Sequence, residues 1–267
     1  MQEEAGDYGL TQLCKAVKEA AESAKTLQYT LLGVGVSAPG PLDTQSGCIL
    51  NPPRFARWQY TAIVSALSAE TGLNVWLENC ASSLAIYAGE QENERDLLTL
   101  LVDSGVGSGV ISGGKLLHSA GGFTSELGHT TISFEGKRCS CGGRGCLEAY
   151  ASMPALLENT PYRTWKELIA AADTQERARE LLAREADYLA AGIGNMVNII
   201  NVGTVCLTGD IYEGFDRLRP LLEERLSGRL LARREEKIRL CALELCAHTQ
   251  VAAAATMVFT RFLESPR

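Results

Sequence analysis

The chain has no cluster of basic residues, no long apolar segment and no cysteine pairing framework, and each absence removes a class of function. Its 25 Lys and Arg are outnumbered by 32 Asp and Glu, leaving a net charge of −7. Gripping a phosphate backbone takes clustered Lys and Arg, so this chain is not expected to bind nucleic acid itself. The basic run around Arg229, Arg233 and Arg234 is interleaved with Glu223, Glu224, Glu235 and Glu236 and reads as a solvated helix face. The longest apolar stretch, Val251 to Phe259, falls far short of the ~20 residues that a membrane span needs. Met1-Gln2-Glu3-Glu4 opens the chain without the basic and apolar regions of a secretory signal. A cytoplasmic protein that does not touch membranes is the expectation.

Nine cysteines is an odd number, and their spacing suggests no disulfide scheme. Cys14, Cys48, Cys80, Cys206, Cys241 and Cys246 read as small buried hydrophobes in a reducing compartment. The other three differ. His129, Cys139, Cys141 and Cys146 lie within eighteen residues, and three thiolates with one imidazole form the closed Cys₃His set that tetrahedral Zn²⁺ favours. Glycines at 142, 143 and 145 supply the tight turns that wrapping an ion requires. Glu126 and Glu148 bracket the segment, which suggests a scaffold aiming polar groups at a small polar ligand.

The rest of the chain alternates between the two periodicities of an α/β protein. Leu10, Leu13, Cys14, Val17, Ala20 and Ala21 recur at helical spacing. Tyr29–Val36 reads as a buried strand broken by Ala38-Pro39-Gly40-Pro41. A helix over Thr61–Thr71 closes at Gly72, a strand over Asn74–Glu78 ends at Asn79-Cys80, and Ser82–Gly89 resumes helical spacing. Polar residues at a strand's carboxyl end stand where open α/β sheets place their ligands. Leu97–Val102 and Val110–Lys115 read as a hairpin around a glycine-rich turn at Gly105, Gly107 and Gly109, with Gly113-Gly114 turning into a third strand. Helices follow over about 154–202, a strand over Thr204–Thr208 ends at Gly209-Asp210, and helices over roughly 214–234 and 250–263 close the chain. The glycines at 105, 107 and 109 would let backbone N–H groups approach an anion, although a hairpin needing positive φ explains them equally well. With no Gly-Lys-Ser/Thr following, they do not form a Walker A loop.

Taken in order, several of these segments resemble the ROK family of repressors, open reading frames and sugar kinases. They are Gly33-Val34-Gly35-Val36-Ser37-Ala38-Pro39-Gly40-Pro41, Asn51 to Trp58, Glu78-Asn79, Ser104 to Gly109, and Gly122 to His129. The most specific is Cys139-Ser140-Cys141-Gly142-Gly143-Arg144-Gly145-Cys146-Leu147-Glu148-Ala149-Tyr150-Ala151-Ser152. The resemblance implies an actin-like, ribonuclease H-like fold of the sugar kinase and Hsp70 type, with two lobes and a sugar between them. The implied division is a partial amino-terminal lobe over 1–100 and a carboxyl-terminal lobe over 101–267 carrying a structural zinc loop at 129–146, the final helix packing back on the first lobe. Asn51, Gly40, Asn79, Glu126, His129 and Glu148 would meet the hydroxyls of a sugar or amino-sugar. Gly105, Gly107, Gly109 and Gly209 would face any nucleotide. Homo-oligomers are usual in the family.

Two departures bear on activity. Where kinases of the family place an aspartate base after the asparagine, this chain has Cys80, so no catalytic residue is assigned. A thiol with an ordinary pKa of ~8.5 is a poor base toward a hydroxyl, and losing a positioned base costs on the order of 10²–10⁴ in rate. Nor does anything before Leu10 match the family's opening strand and Asp-x-Gly-Gly phosphate turn, which makes the first lobe incomplete. Near the end, Thr208-Gly209-Asp210-Ile211 replaces a Gly-Gly-Gly run, and its bulk would crowd a nucleotide. The expected function is a sugar-sensing domain of a ROK-type transcriptional regulator holding Zn²⁺. The alternative is an ATP- and Mg²⁺-dependent hexose or N-acetylhexosamine kinase.

Overall fold

The computed structural model describes residues 3–52, 55–118, 125–231 and 237–264, and side chains from residue 9 onward. Pro53, Arg54, the Gly122–Thr124 part of the family-like segment and residues 233–236 of the basic run lie outside the described residues. The chain divides into two compact units, one built from its beginning and its end, the other from its middle.

In the first unit, helix α1 (Glu3–Thr26) buries Cys14 and packs Leu10, Leu13 and Val17 beside it, the i, i+3, i+4, i+7 stripe of an amphipathic helix. Strand β1 (Val34–Ala38) follows, then a short antiparallel pair, β2 (Leu42–Asp43) and β3 (Cys48–Ile49). Helix α2 (Ile63–Thr71) leads to β4 (Val75–Asn79), which pairs in parallel with β1, and helix α3 (Cys80–Glu92) starts directly at the end of β4. Leu42, Ile49, Ile63, Leu67 and Leu77 complete this core.

β1 starts five residues later than the sequence suggests. Gln28 adopts a left-handed conformation (φ 62°) and donates to Lys25 O, while Tyr29 N–H donates to Ala24 O. This doubled pattern closes a helix carboxyl terminus. Tyr29 is therefore part of the cap of α1, not of a buried strand, and is 68% exposed.

The second unit is a five-stranded mixed sheet. Its strands are β5 (Leu97–Val102), β6 (Val106–Ser112), β7 (Lys115–Leu116), β8 (Thr204–Gly209) and β9 (Arg239–Leu243), in the order β7-β6-β5-β8-β9. The first three pair antiparallel and the last two add in parallel. Leu97, Leu98, Leu100 and Val102 of β5 are buried because the strand lies at the sheet's centre. Between β7 and β8 run α4 (Glu148–Ala151), α5 (Met153–Leu157), α6 (Trp165–Ala171) and α7 (Glu176–Ile200), and α8 (Phe215–Ser227) precedes β9. Helix α7 turns Leu181, Leu182, Leu189, Ile193 and Val197 into the core, with Glu185 on the same buried face. Among the described residues, neither Glu185 carboxyl oxygen has a hydrogen-bond partner.

The sequence reading missed β9. Arg239-Leu240-Cys241-Ala242-Leu243 lacks the β-branched and aromatic residues that mark strands. It also carried the preceding helix to about residue 234, whereas α8 ends at Ser227. The last helix, α9 (Ala247–Glu264), belongs to the first unit. There it lies so close to β1 that a Cβ at Gly35 would stand 2.3 Å from Ala254 O, so only glycine is tolerated. Among the described residues no helix is long and apolar enough to cross a membrane. Of the six cysteines expected to be buried, Cys14 and Cys206 are, whereas Cys48, Cys80, Cys241 and Cys246 are only partly covered.

Candidate functional site

After a single helical turn at Leu127–His129, the second unit folds a loop back on itself. Ile132 N–H donates to Gly145 O (2.8 Å), Gly145 N–H to Lys137 O (2.8 Å) and Cys139 N–H to Gly143 O (3.0 Å). Gly145 has φ +70°, and a Cβ there would fall 1.7 Å from Ser133 O, so the fold-back requires glycine. The result collects four side chains. One ligand atom from each of His129, Cys139, Cys141 and Cys146 lies within 4.8 Å of every other. Cys139 Sγ is 3.6 Å from His129 Nδ1, and Cys141 Sγ is 3.7 Å from Cys146 Sγ. The Gly143 backbone holds the Cys141 thiol below its ordinary range. Burial first, then hydrogen bonding with its two neighbouring cysteines, pushes Cys146 up to about 12. Three sulfurs this close can all be thiolates only beside a cation.

The two flanking carboxylates converge on this loop. Glu148 opens α4 and accepts Val106 N–H on Oε2 (3.0 Å), and Ser140 Oγ donates to its Oε1 (3.4 Å). One side chain thereby ties the turn before β6 to the cysteine loop. Glu126 is solvent-exposed as a residue, yet desolvation by the packed protein around its carboxyl raises its pKa; His129 opposes that rise and Glu148 adds to it. The arrangement offers carboxylate acceptors beside an imidazole whose Nδ1 faces the sulfurs, leaving Nε2 as the nitrogen for other contacts.

In the first unit Asn79 caps α3: its Oδ1 accepts Ala81 N–H (2.9 Å), so donation to a ligand would fall to Nδ2. Cys80 is the first residue of that helix. The adjacent carboxylate, Glu78, is 1% exposed, and among the described residues only its Oε1 is hydrogen-bonded, while Oε2 lies beside two basic side chains. Its Oε1 accepts Asn79 N–H (2.9 Å), and its Oε2 lies 3.1 Å from His118 Nε2 and 3.5 Å from Arg261 Nη2. Asn51 is exposed and accepts from Gln59 Nε2 (2.6 Å), and Gly40 precedes a cis peptide to Pro41.

The glycine-rich turn is shorter than the sequence suggests. Only Gly105 lies in it, because β6 begins at Val106 and pairs Gly107 with Leu101 and Gly109 with Thr99. At the end of β8, Gly209 takes φ +93°. Ile211 is fully buried in the core, so its bulk turns inward. Asp210 is the exposed group there, with its pKa raised by desolvation and then by Asp103 and Glu213. Charge, not volume, would oppose a phosphate at this strand end.

The ROK family profile matches residues 9–259. The chain belongs to the ROK family. Among its ROK relatives, a xylose repressor from Caldicellulosiruptor bescii is 32% identical over 239 residues, covering 79% of this chain and 58% of that protein. A glucokinase from Thermotoga maritima is 30% identical over 216 residues, covering 72% of this chain and 68% of its own length. A crystal structure of a ROK hexokinase from Thermus thermophilus superposes with a TM-score of 0.82 at 29% identity, covering 96% of this chain and 88% of the hexokinase. The chain spans about 58–63% of the length of the xylose repressors from C. bescii and Bacillus subtilis that it matches.

The cysteine–histidine group of this ROK chain was readable from spacing because its members are local. Two features were not. The Glu78–His118–Arg261 cluster joins residues from three distant segments, and Ser140 bonds to Glu148 from inside the cysteine loop. Neither carries a sequence signal.

Proposed function

We propose that the chain is a sugar-sensing domain of a ROK-type transcriptional regulator that binds a sugar without phosphorylating it efficiently, and that it holds a structural Zn²⁺. The observation that carries the reading is the start of α3. The residue after Asn79 is a cysteine, and the neighbouring carboxylate of Glu78 is buried against His118 and Arg261. An incoming hydroxyl thus meets no carboxylate base from this strand end.

We assign hydroxyl recognition to Glu126, His129 and Glu148 of the second unit, with Asn79, Asn51 and Gly40 as separate candidates within the first. Tetrahedral Zn²⁺, with bonds of about 2.3 Å to sulfur and 2.0 Å to nitrogen, spaces two sulfurs about 3.8 Å apart and a sulfur and a nitrogen about 3.5 Å apart. The measured 3.7 Å and 3.6 Å fit those edges. Bound there, the ion would fix the loop that presents Glu126 and Glu148. With all four positions taken by protein, the expected role is structural. The repressor relatives support the regulatory assignment, with sugar binding shifting a conformational population. We also propose a homo-oligomer.

The second reading is an ATP-dependent hexose or N-acetylhexosamine kinase, which the glucokinase relative and the hexokinase structure favour. Gly105, Gly107, Gly109 and Gly209 would then face the nucleotide. A coupled assay with ATP, Mg²⁺ and a panel of glucose, mannose, xylose and N-acetylated sugars separates the two. We expect turnover slower by on the order of 10²–10⁴ than a kinase retaining its aspartate; turnover on the scale of one per second ends the regulator reading. Cys80→Asp should preserve sugar affinity and leave kinase activity low.

Calorimetric titration with the same panel should reveal at least one ligand. Its affinity should fall on acidification, beginning at a higher pH than an ordinary glutamate would impose, because the raised pKa of Glu126 makes its carboxylate lose charge sooner. Glu126→Gln should remove that acid limb. An unchanged pH profile in the variant would exclude Glu126 from the site.

A further inference from the structure

The second unit holds a pair of cysteines outside the metal-binding group. Cys206 of β8 and Cys241 of β9 are register partners on adjacent parallel strands and so point to the same face of the sheet. Neighbouring strands run about 4.8 Å apart, within the roughly 4.4–6.8 Å Cα separation that a disulfide spans. The two thiols interact directly, and the Cys241 S–H also donates to Val205 O (3.8 Å). Their settings differ. Cys206 is 1% exposed, whereas Cys241 sits on the edge strand and is only partly covered. Hydrogen bonding with Cys206 draws the Cys241 thiol below its ordinary range, with desolvation and Glu92 opposing, Arg239 assisting and Glu94 opposing. Cys206 is pushed the other way, first by that bond and then by burial.

We propose that Cys241 and Cys206 form a peroxide-reactive dithiol, Cys241 the attacking sulfur and Cys206 the resolving one. The Cys241 thiolate attacks one oxygen of hydrogen peroxide. An S–O bond forms, the O–O bond breaks, and the leaving hydroxide takes a proton to become water. Cys206 then gives up its proton and attacks the Cys241 sulfur. The S–S bond forms, the S–O bond breaks, and a second water leaves. Two thiols lose two electrons and two protons, and one peroxide is reduced to two waters. The product ties the edge strand to β8, and a thiol reductant reverses it by exchange.

The test is stoichiometric hydrogen peroxide on the full purified chain, followed by peptide mapping without reduction. The expected result is one disulfide joining the Cys206 and Cys241 peptides before Cys14 or Cys48 changes, lost on treatment with dithiothreitol. In Cys206→Ser, Cys241 should accumulate as a sulfenic acid captured by dimedone; in Cys241→Ser, neither the cross-link nor the adduct should form. The proposal is overturned if mapping of the unsubstituted protein shows both residues still reduced while other cysteines are oxidised, or a disulfide that pairs either with a different cysteine. Mapping the unsubstituted chain decides the matter even if a variant does not fold.

Discussion

Stripping the metal from the Cys₃His group should lower the melting temperature sharply. A ligand present at about 1,000 times its dissociation constant stabilises the folded state by about 4 kcal/mol. At roughly 2–4 °C per kcal/mol for a domain of this size, the fall is about 8–16 °C. The effect is this large because the loop has little else to hold it. Cys141 and the residues that follow it through Arg144 are exposed, and the fold-back rests on a few backbone bonds. Sugar affinity should fall with stability, by about 10–100-fold, since Glu126 and Glu148 lose the support that orients them. His129→Ala should reproduce both changes. Metal analysis should find zinc near one equivalent. Its absence, or a melting temperature indifferent to chelation, would remove the metal from the proposed function.

Replacing Glu185 with leucine should stabilise the protein at neutral pH, by on the order of 1–3 kcal/mol. Glu185 is completely buried, and among the described residues neither carboxyl oxygen has a partner. Burial pushes its pKa well above the ordinary carboxylate value. The folded chain therefore holds a proton that the unfolded chain releases above about pH 4.3. Where the folded state binds more protons, stability falls as pH rises. The loss runs from the ordinary glutamate pKa up through the raised folded value. Leucine removes both the desolvation cost and this slope. Urea titrations at several pH values check it: a variant less stable than the parent at pH 7, or one with an undiminished pH slope, would show that Glu185 is satisfied by a partner.

What could be read beforehand followed the range of the interactions involved. The gathering of His129, Cys139, Cys141 and Cys146, the place of Asn79 at the end of β4 and the helical stripe of α1 are set by local spacing, and each could be placed from the chain alone. β1 was misplaced because a glutamine, not a glycine, adopts the left-handed cap of α1. β9 escaped notice because its short run of Leu, Cys and Ala becomes a strand only by pairing with β8, thirty-odd residues earlier in sequence. The engagement of Glu78 depends on His118 and Arg261, which no local rule connects. The spread of glycines from 105 to 109 suggested a wide turn, yet the hydrogen-bonded ladder claims two of the three.

The close seat of α9 on Gly35 also constrains how the chain is made. Between the end of β4 and the start of α9 lie 167 residues. At about 5–20 residues per second, a ribosome needs on the order of 10–30 s to bridge them. Through that interval the emerging amino-terminal segment lacks the helix that will cover its sheet, and by its end the middle unit has been translated in full. The nascent protein should thus acquire its parts out of order, the second-translated body maturing before the first.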